Sequence, residues 1–122
     1  MMSLNIRGLN SGEKQHTIGQ LIHQEQFDIV CLNETKLTGP VYLDNYWSYQ
    51  TMLQRNGGAW TAASNKVKLT LVKALGTYLC WVRLTTGRQE VQILNCYLEP
   101  GKEQFQEERV KRVTDIIKDI IS

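Results

Sequence analysis

The feature that most constrains the fold is a strand–helix–strand pattern near the start of the chain. Residues 2–7 alternate between apolar and polar side chains, a helical pattern runs from Glu13 to Gln26, and Ile29 to Leu32 is an unbroken apolar run. Parallel strands need a long crossover connection, and a helix of this length supplies one. The pattern therefore predicts a βαβ unit whose two strands are parallel neighbours.

The ends and faces of these elements are also marked in the sequence. Asn10 or Ser11 is the expected N-cap of the helix, because both side chains can accept a hydrogen bond from a free backbone N–H group. The second strand is apolar throughout, which predicts that both of its faces are covered.

After Pro40 the chain changes to successive β segments and then to a final helix. Arg55–Gly58 is expected to be a hairpin turn, because Asn-Gly tolerates positive φ angles. The apolar spacing in the last segment is helical, with Phe105 among its inward residues. The expected segments are five strands, Asn45–Leu53, Ala59–Ser64, Val67–Leu75, Thr77–Thr85 and Glu90–Leu98, and one helix, Glu103–Ile121.

Composition limits the classes of protein that remain. A chain of 122 residues, 42% apolar and 21% charged, is one ordinary globular domain at most, spanning residues 1–122. A net charge of +2 is too small for a dedicated nucleic-acid coat protein. A local basic stripe remains, for which a solvated strand face is the favoured interpretation; it comprises Lys66, Lys68, Lys73, Arg83 and Arg88.

The cysteines indicate the compartment. Cys31, Cys80 and Cys96 all lie in apolar segments, and their number is odd, so we expect buried free thiols and a reducing environment. The sequence shows neither a membrane-spanning run nor a signal-peptide pattern at its start. We therefore expect an intracellular protein, whether nuclear, cytoplasmic or organellar.

Two polar residues stand at the ends of the predicted parallel strands. Asn5 offers an amide oxygen and Glu34 a carboxylate, and the carboxyl ends of parallel neighbours meet at one edge of a sheet. Oxygen donors of this kind suit Mg²⁺. One carboxylate and one amide are too few to fill its coordination shell, so water or phosphate oxygens would have to supply the rest.

Two segments, Asn5–Leu9 and Ile29–Lys36, resemble the first two motifs of the endonuclease/exonuclease/phosphatase superfamily. The similarity is to the apurinic-type endonuclease domains of non-LTR retrotransposons, in which N-x-x-G-L-N-S and D-I-V-C-L-x-E-T-K are usual phrases. Gly57-Gly58 and Asn95-Cys96-Tyr97 are similar to two further landmarks of the family. The resemblance extends from about Leu4 to Pro100.

The resemblance implies a fold and a set of roles. The family fold is a four-layered α/β sandwich made of two similar halves, and this chain resembles the first half: an α+β arrangement of a βαβ unit, a β meander and a closing C-terminal helix. The implied roles are Glu34 and Asn5 at the Mg²⁺ ion, Tyr97 as a further catalytic group at the phosphate, and Lys36 as a cation for binding substrate.

The sequence also departs from the family pattern. Arg7 stands where many relatives carry Asp, Asn33 replaces a common Gln, and Glu99-Pro100 replaces a frequent Pro-Asn. The family's second half, with its Asp-x-Asn and Asp-His residues, has no counterpart in these 122 residues. The resemblance therefore implies half of a metal-dependent DNA phosphodiesterase, inactive or nearly so alone because no base for the attacking water is evident.

Structural interpretations remain open for each candidate residue. Glu34 can be an ion-paired carboxylate with Lys36 as its partner, Asn5 a loop-binding amide, and Tyr97 a strand-end aromatic. Gly57-Gly58 is favoured as a turn over a phosphate cradle. A solvated helix face is the favoured interpretation of His16 and His23. A core or interface position, rather than stacking on bases, is the favoured interpretation of Trp47, Trp60 and Trp81.

A half-sandwich has a consequence for partners. If both helices cover one sheet face, the other face is left open, and monomers seldom expose large apolar patches. We therefore expect a second protein chain or a second copy to cover it, with DNA or RNA as a further partner. The alternatives to a nuclease half are a non-catalytic, retrotransposon-derived scaffolding subunit and a nucleic-acid-binding module.

Overall fold

The structure is a computed structural model that describes residues 1–51, 53–98 and 103–121, with the side chains of 103–106 excepted. The described part of the chain forms two helices and seven strands, with six consecutive strands between the helices. In order they are β1 Met2–Asn5, α1 Gly12–Glu25, β2 Ile29–Asn33, β3 Tyr46–Gln50, β4 Ala59–Ser64, β5 Lys68–Leu75, β6 Leu79–Thr86, β7 Gln89–Cys96 and α2 Glu103–Ile121. The predicted α+β class is confirmed.

The first sheet has four strands in the order β1-β2-β4-β3. β1 and β2 are parallel neighbours, with Asn5 opposite Asn33, as the βαβ pattern predicts. β4 runs antiparallel between β2 and β3. The two strand ends that carry Asn5 and Glu34 therefore lie side by side.

Helix α1 packs on the outer face of the first sheet. Ser11 is its N-cap, and the hydroxyl of Ser11 accepts a hydrogen bond from the backbone N–H of Lys14 at 3.4 Å. Ile22 on α1 is 1% exposed and lies against Val30 and Leu32 of β2. The buried apolar residues of this outer core are Ile6, Leu9, Ile22, Val30, Leu32, Leu37, Trp60 and Ala62.

The second sheet is the meander β5-β6-β7, and it packs on the inner face of the first sheet. A second core lies between the sheets, where Cys80 and Val82 of β6 meet Ala59 and Ala63 of β4. The expectation that the inner face of the first sheet is open is therefore wrong. The reason is that the chain leaves the first sheet after β4, so the last three strands form a separate layer.

One side of the sandwich is less well covered. β7 lies across β2 and β4, so the second sheet leaves the β1 edge of the first sheet less well covered. Leu4 pairs with Leu32 and therefore faces the α1 layer, so its 40% exposure is not on this inner face. Val91 on β7 shares the inward face of Val82, yet it is 45% exposed. We call this side, made of β1 and β7, the open side. Apolar surface is left here rather than over the centre of the first sheet.

The closing helix has the predicted bounds, Glu103–Ile121. The Arg109 guanidinium lies 4.7 Å from the centre of the Tyr78 ring, which ties α2 to the turn between β5 and β6. Val110 and Ile117 are more than two-fifths exposed, so much of the predicted apolar face is not buried. The side chain of Phe105 and the residues Glu99-Pro100 lie outside the described part of the chain.

Two further predictions bear on the environment of the protein. Cys31, Cys80 and Cys96 are free thiols, as expected. Cys31 and Cys80 are buried, whereas Cys96 is only partly buried. Neither described helix combines the length and the apolar character needed to span a bilayer.

Candidate functional site

The candidate site residues lie at one end of the sandwich, where five connecting segments meet. We call these segments the site loops: residues 6–10, 34–38, 55–58, 76–78 and 97–98. The loop after β1 is bonded to the loop after β2, because Gly8 N–H donates to the Glu34 carbonyl at 2.7 Å and Leu9 N–H to that of Thr35 at 2.8 Å. Backbone pairing thus continues past the ends of both strands and holds the backbone of Glu34.

Gly57 and Gly58 join the Glu34 loop to the second sheet. Lys36 N–H donates to the Gly57 carbonyl at 2.7 Å, and Gly58 N–H donates to the Thr77 carbonyl at 2.8 Å. Both glycines have positive φ, and a Cβ atom on Gly58 would lie 2.4 Å from the Thr35 hydroxyl oxygen. The pair is therefore required both by its backbone conformation and by this close approach.

The predicted turn at Arg55–Gly58 needs one correction. The connection between β3 and β4 runs from residue 51 to residue 58, which is longer than a tight hairpin, and Gly57 and Gly58 rather than Asn56 adopt the positive φ angles. The physical reason is that both glycine carbonyls turn toward the loop after β2 instead of closing a two-residue turn.

Asn95 brings β7 to the same end of the sandwich. Its buried amide nitrogen lies 3.1 Å from each of three acceptors: the Leu32 carbonyl, the Trp60 carbonyl and the Thr61 hydroxyl. Tyr97 follows β7 directly, and its N–H donates to the Tyr78 carbonyl at 2.9 Å. Tyr97 is two residues after Asn95, and Glu34 is two residues after Leu32. The hydrogen bond between Asn95 and Leu32 therefore holds the segments that carry Tyr97 and Glu34 close together.

Glu34 forms an ion pair with Lys36. The Lys36 ammonium nitrogen lies 3.8 Å from a Glu34 carboxylate oxygen, with side-chain exposures of 41% and 20% respectively. Both residues have positive φ angles, 56° for Glu34 and 52° for Lys36. Non-glycine residues rarely adopt this conformation. The ion-pair interpretation of Glu34 is confirmed, and a pair at this distance between partly exposed side chains contributes little to stability.

Asn5 lies beside this loop but is more exposed. It ends β1 opposite Asn33, the residue before Glu34, and it is exposed. The sheet thus brings Asn5, Asn33 and Glu34 to one edge, as the strand pattern predicts. Asn10 acts as a loop-binding amide: its nitrogen donates to the Lys36 carbonyl at 2.6 Å, and its oxygen accepts from the Thr38 N–H at 3.1 Å.

The donor set at this edge is incomplete for a metal ion. Within residues 1–51, 53–98 and 103–121, no three His, Cys, Asp or Glu side chains are grouped so that they could hold one. Glu34 contributes one carboxylate, and Asn5 and Asn33 contribute amide oxygens, which are donors that Mg²⁺ accepts. The residues present therefore fit one part of a magnesium coordination shell and leave the remaining positions to other ligands.

The three tryptophans have separate environments. Trp60 is 2% exposed and donates its indole N–H to the Val41 carbonyl at 3.0 Å, so it is a core residue as favoured. Trp81 is partly buried and donates to the Gln92 side-chain oxygen at 2.7 Å. Trp47 is 51% exposed on β3, so it is not a core residue of this chain.

The two histidines and the basic stripe lie on solvent-exposed surfaces of the fold. His16 and His23 are exposed on α1, as expected, and His23 packs edge-to-face on Tyr46. In the basic stripe, Arg83 Nε lies 3.9 Å from the Glu90 carboxylate, which offsets part of its charge.

Sequence reasoning missed the structural role of Asn95, and it treated Gly57-Gly58 only as a local turn. An asparagine inside an otherwise apolar strand is a usable signal, because a buried amide needs partners. Its three acceptors come from β2 and β4, however, and their position depends on how the two sheets stack. That stacking is not contained in any local pattern.

The thiols beneath the site loops stay protonated at neutral pH. Burial raises the pKa of Cys80 from an ordinary value of 9.0 to about 11, against the opposing effect of its hydrogen bond with Thr61. Burial likewise raises the pKa of Cys31, which also bonds with Thr61. These cysteines are therefore poor nucleophiles, and we assign them to the core.

Comparison with known proteins shows a similarity of fold to a solved structure. None of the known family profiles matches the sequence, and no curated protein matches it. The fold is similar to that of the endonuclease domain of TRAS1, a telomere-specific non-LTR retrotransposon, with a TM-score of 0.71 and 16% identity. The match covers 94% of this chain and 52% of that structure. The chain therefore has the fold of about half of this endonuclease domain.

Proposed function

We propose that this chain is one half of a metal-dependent phosphodiesterase that acts on DNA, with its active site at the Glu34 end of the sandwich. The observation that carries the proposal is the convergence of the site loops on Glu34. Five segments from both sheets are linked by backbone hydrogen bonds around a partly exposed carboxylate with positive φ. The similarity of the fold to an endonuclease domain supports this proposal.

The proposed roles follow from position and chemistry. Glu34 and Asn5 hold a Mg²⁺ ion, which when bound supplies positive charge against the phosphate. Lys36 contacts a phosphate oxygen once it leaves the Glu34 carboxylate, and Tyr97 orients the same group with its hydroxyl. No described residue at this end is positioned as a base for water, so this half alone is inactive or nearly so, since general-base catalysis contributes about 100- to 10,000-fold.

A second protein segment completes the site in this proposal. The matched endonuclease domain is about twice as long as the part that this chain covers. The open side offers two edge strands, β1 and β7, and exposes Val91. A segment that adds strands along these edges would bury that apolar surface and bring further ligands beside Asn5. The segment can belong to a longer polypeptide, to a second chain or to a second copy.

Plasmid nicking tests the nuclease proposal. The chain is assayed alone and together with the part of the TRAS1 endonuclease domain that it does not cover, with and without Mg²⁺. The chain alone should show no nicking above background. The mixture should nick the plasmid only with Mg²⁺. The Glu34→Gln variant should lower the nicking rate by at least about 100-fold.

Two controls keep this assay decisive. Glu25→Gln removes a carboxylate from the exposed end of α1 and should leave nicking unchanged. Nicking that persists in EDTA, or that Glu34→Gln does not alter, would contradict the proposal.

A non-catalytic scaffolding role is the second candidate. It is favoured by the Glu34–Lys36 ion pair, which satisfies the carboxylate without a metal, and by the apolar surface on the open side. In that role the open side would bind its partner equally well in the wild-type chain and in Glu34→Gln. Partner binding that is unchanged while no metal binds at Glu34 would decide for it.

A further inference from the structure

A depression beside the Glu34 loop is lined by positive charge. It has a volume of about 630 Å³, and its lining includes four cations and no carboxylate. The cations come from four different segments: Arg7 after β1, Lys14 in α1, Lys36 after β2 and Arg55 before β4. We call this depression, with its four lining cations, the basic depression. None of them except Lys36 belongs to the predicted functional residues.

The local backbone turns these side chains toward one place. Arg7 and Gly8 both have positive φ, 53° and 102°, so the chain reverses immediately after β1. A Cβ atom on Gly8 would lie 4.0 Å from Cδ of Lys36, which shows that the lysine stem lies next to the Gly8 backbone. The ammonium group of Lys14 donates to the Ile6 carbonyl at 2.5 Å, which holds it at the same loop.

The charges in the basic depression are largely uncompensated. Among the described residues, Lys36 alone of the four forms an ion pair, and its partner Glu34 lies outside the lining. The two guanidinium groups, on Arg7 and Arg55, are exposed and have no ion pair within the described part of the chain. A concavity lined by like charges focuses a positive potential that attracts anions from solution.

The size and position of the depression indicate the anion. Its volume exceeds the space that one phosphate group needs, and it is open to solvent. Lys36 belongs both to the depression and to the Glu34 ion pair, so a chain of phosphates could pass from one to the other. Guanidinium groups bind phosphate oxygens with two hydrogen bonds, which suits a nucleic-acid backbone.

We propose that the basic depression binds backbone phosphates of a nucleic acid next to the Glu34 site, without a metal ion. The binding is independent of base sequence, because every contact is to phosphate. The identity of the ligand rests on the proposed function, whereas the binding itself does not need Mg²⁺ or the completing segment.

Fluorescence anisotropy of a labelled DNA duplex, titrated with the chain in EDTA at several salt concentrations, tests this inference. The double variant Arg7→Gln/Arg55→Gln should bind about tenfold more weakly at low salt, and its salt slope should fall by about 0.9 for each phosphate contact that is lost. Neither guanidinium group makes a described hydrogen bond, so the variant should fold, and its melting temperature is recorded.

The matched control is Lys66→Gln/Arg88→Gln, which removes the same charge from the exposed basic stripe. An equal or larger loss of affinity in the control would overturn the inference, because binding would then follow net charge or the stripe. Excess inorganic pyrophosphate serves as a competitor. Displacement of the duplex at equimolar pyrophosphate would also overturn it, since a small diphosphate would then be the preferred ligand.

The result is separable from the nuclease proposal. If the double variant binds DNA like the wild type while nicking still depends on Glu34, the basic depression is refuted and the catalytic site stands. If the double variant loses DNA binding while Glu34→Gln leaves nicking unchanged, the basic depression stands and the catalytic assignment is refuted.

Discussion

Single buried polar residues decide how the two sheets meet. Asn95 is 5% exposed and Thr61 is fully buried, and together they link β7 to β2 and β4. The amide satisfies carbonyl groups at the strand ends, where each unpaired buried group would cost about 1–3 kcal/mol. These residues fix which end of β7 lies beside Glu34, and so they position Tyr97 without contacting a substrate themselves.

The buried thiol of Cys80 makes the free energy of unfolding fall as the pH rises into the alkaline range. Its pKa in the folded protein is about 11, raised by burial above the ordinary value of 9.0, so the unfolded chain loses this proton first as the pH rises. The contribution is therefore fully present below pH 9 and is lost between pH 9 and 11. We expect a loss of about 2–3 kcal/mol across this range.

Urea denaturation at several pH values measures this effect. Cys80→Ala should be less stable than the wild type at pH 7, because it leaves a small cavity, but its stability should fall less steeply above pH 9. Cys96→Ala provides the comparison at a less buried thiol. Parallel pH profiles for the wild type and Cys80→Ala would show that this thiol does not carry the dependence.

At the scale of elements, apolar periodicity and capping residues predict the bounds of helices and strands, but they do not predict how the strands divide into two sheets. Ser11 capped α1 as expected, and the bounds of β4 and α2 agree with the sequence, because apolar spacing and polar turns act locally. The seven strands divide into two sheets at Asn65-Lys66, between β4 and β5. The pattern of successive strands is the same whether they extend one sheet or begin another.

The same distinction explains which parts of the candidate site could be predicted. Asn5 and Glu34 were placed at one edge correctly because parallel pairing follows from the βαβ pattern. The basic depression could not be predicted, because its four cations are brought together by the loop after β1 and the connection before β4. Irregular loops of this kind have no periodic signal.

The connection at Gly58 provides a test at this scale. Gly58→Ala should destabilise the fold by about 2–4 kcal/mol, because the new methyl group meets the Thr35 hydroxyl oxygen and φ is +103°. Gly39→Ala is the matched control, since no atom lies within 4 Å of its Cβ position. Thermal denaturation compares the two variants; equal melting temperatures would show that the Gly58 contact with the Glu34 loop is not required.

At the scale of the molecule, the sandwich is closed at its centre and less well covered at one side. The two cores lie above and below the first sheet, while β1 and Val91 remain exposed on the open side. Exposed apolar surface and unpaired edge strands at one side of a protein favour its association with another chain. The expected partner surface is thus the open side and not the centre of the first sheet.

Light scattering combined with size exclusion measures this association. The chain should self-associate in a concentration-dependent manner and bind a hydrophobic dye, and Val91→Lys should reduce both. Tyr42→Lys is the control, because Tyr42 is 79% exposed and lies beside α1, away from the open side. A wild-type chain that stays monomeric and binds little dye would contradict this assignment.

The central claim is that Glu34 lies in one half of a metal site. The most direct test is paramagnetic broadening of backbone amide signals by Mn²⁺, a substitute for Mg²⁺, in NMR spectra of the chain. We predict that the signals of Asn5, Glu34 and Thr35 broaden first and that Glu34→Gln abolishes the effect. Broadening that begins elsewhere, or that is the same in Glu34→Gln, would contradict the claim.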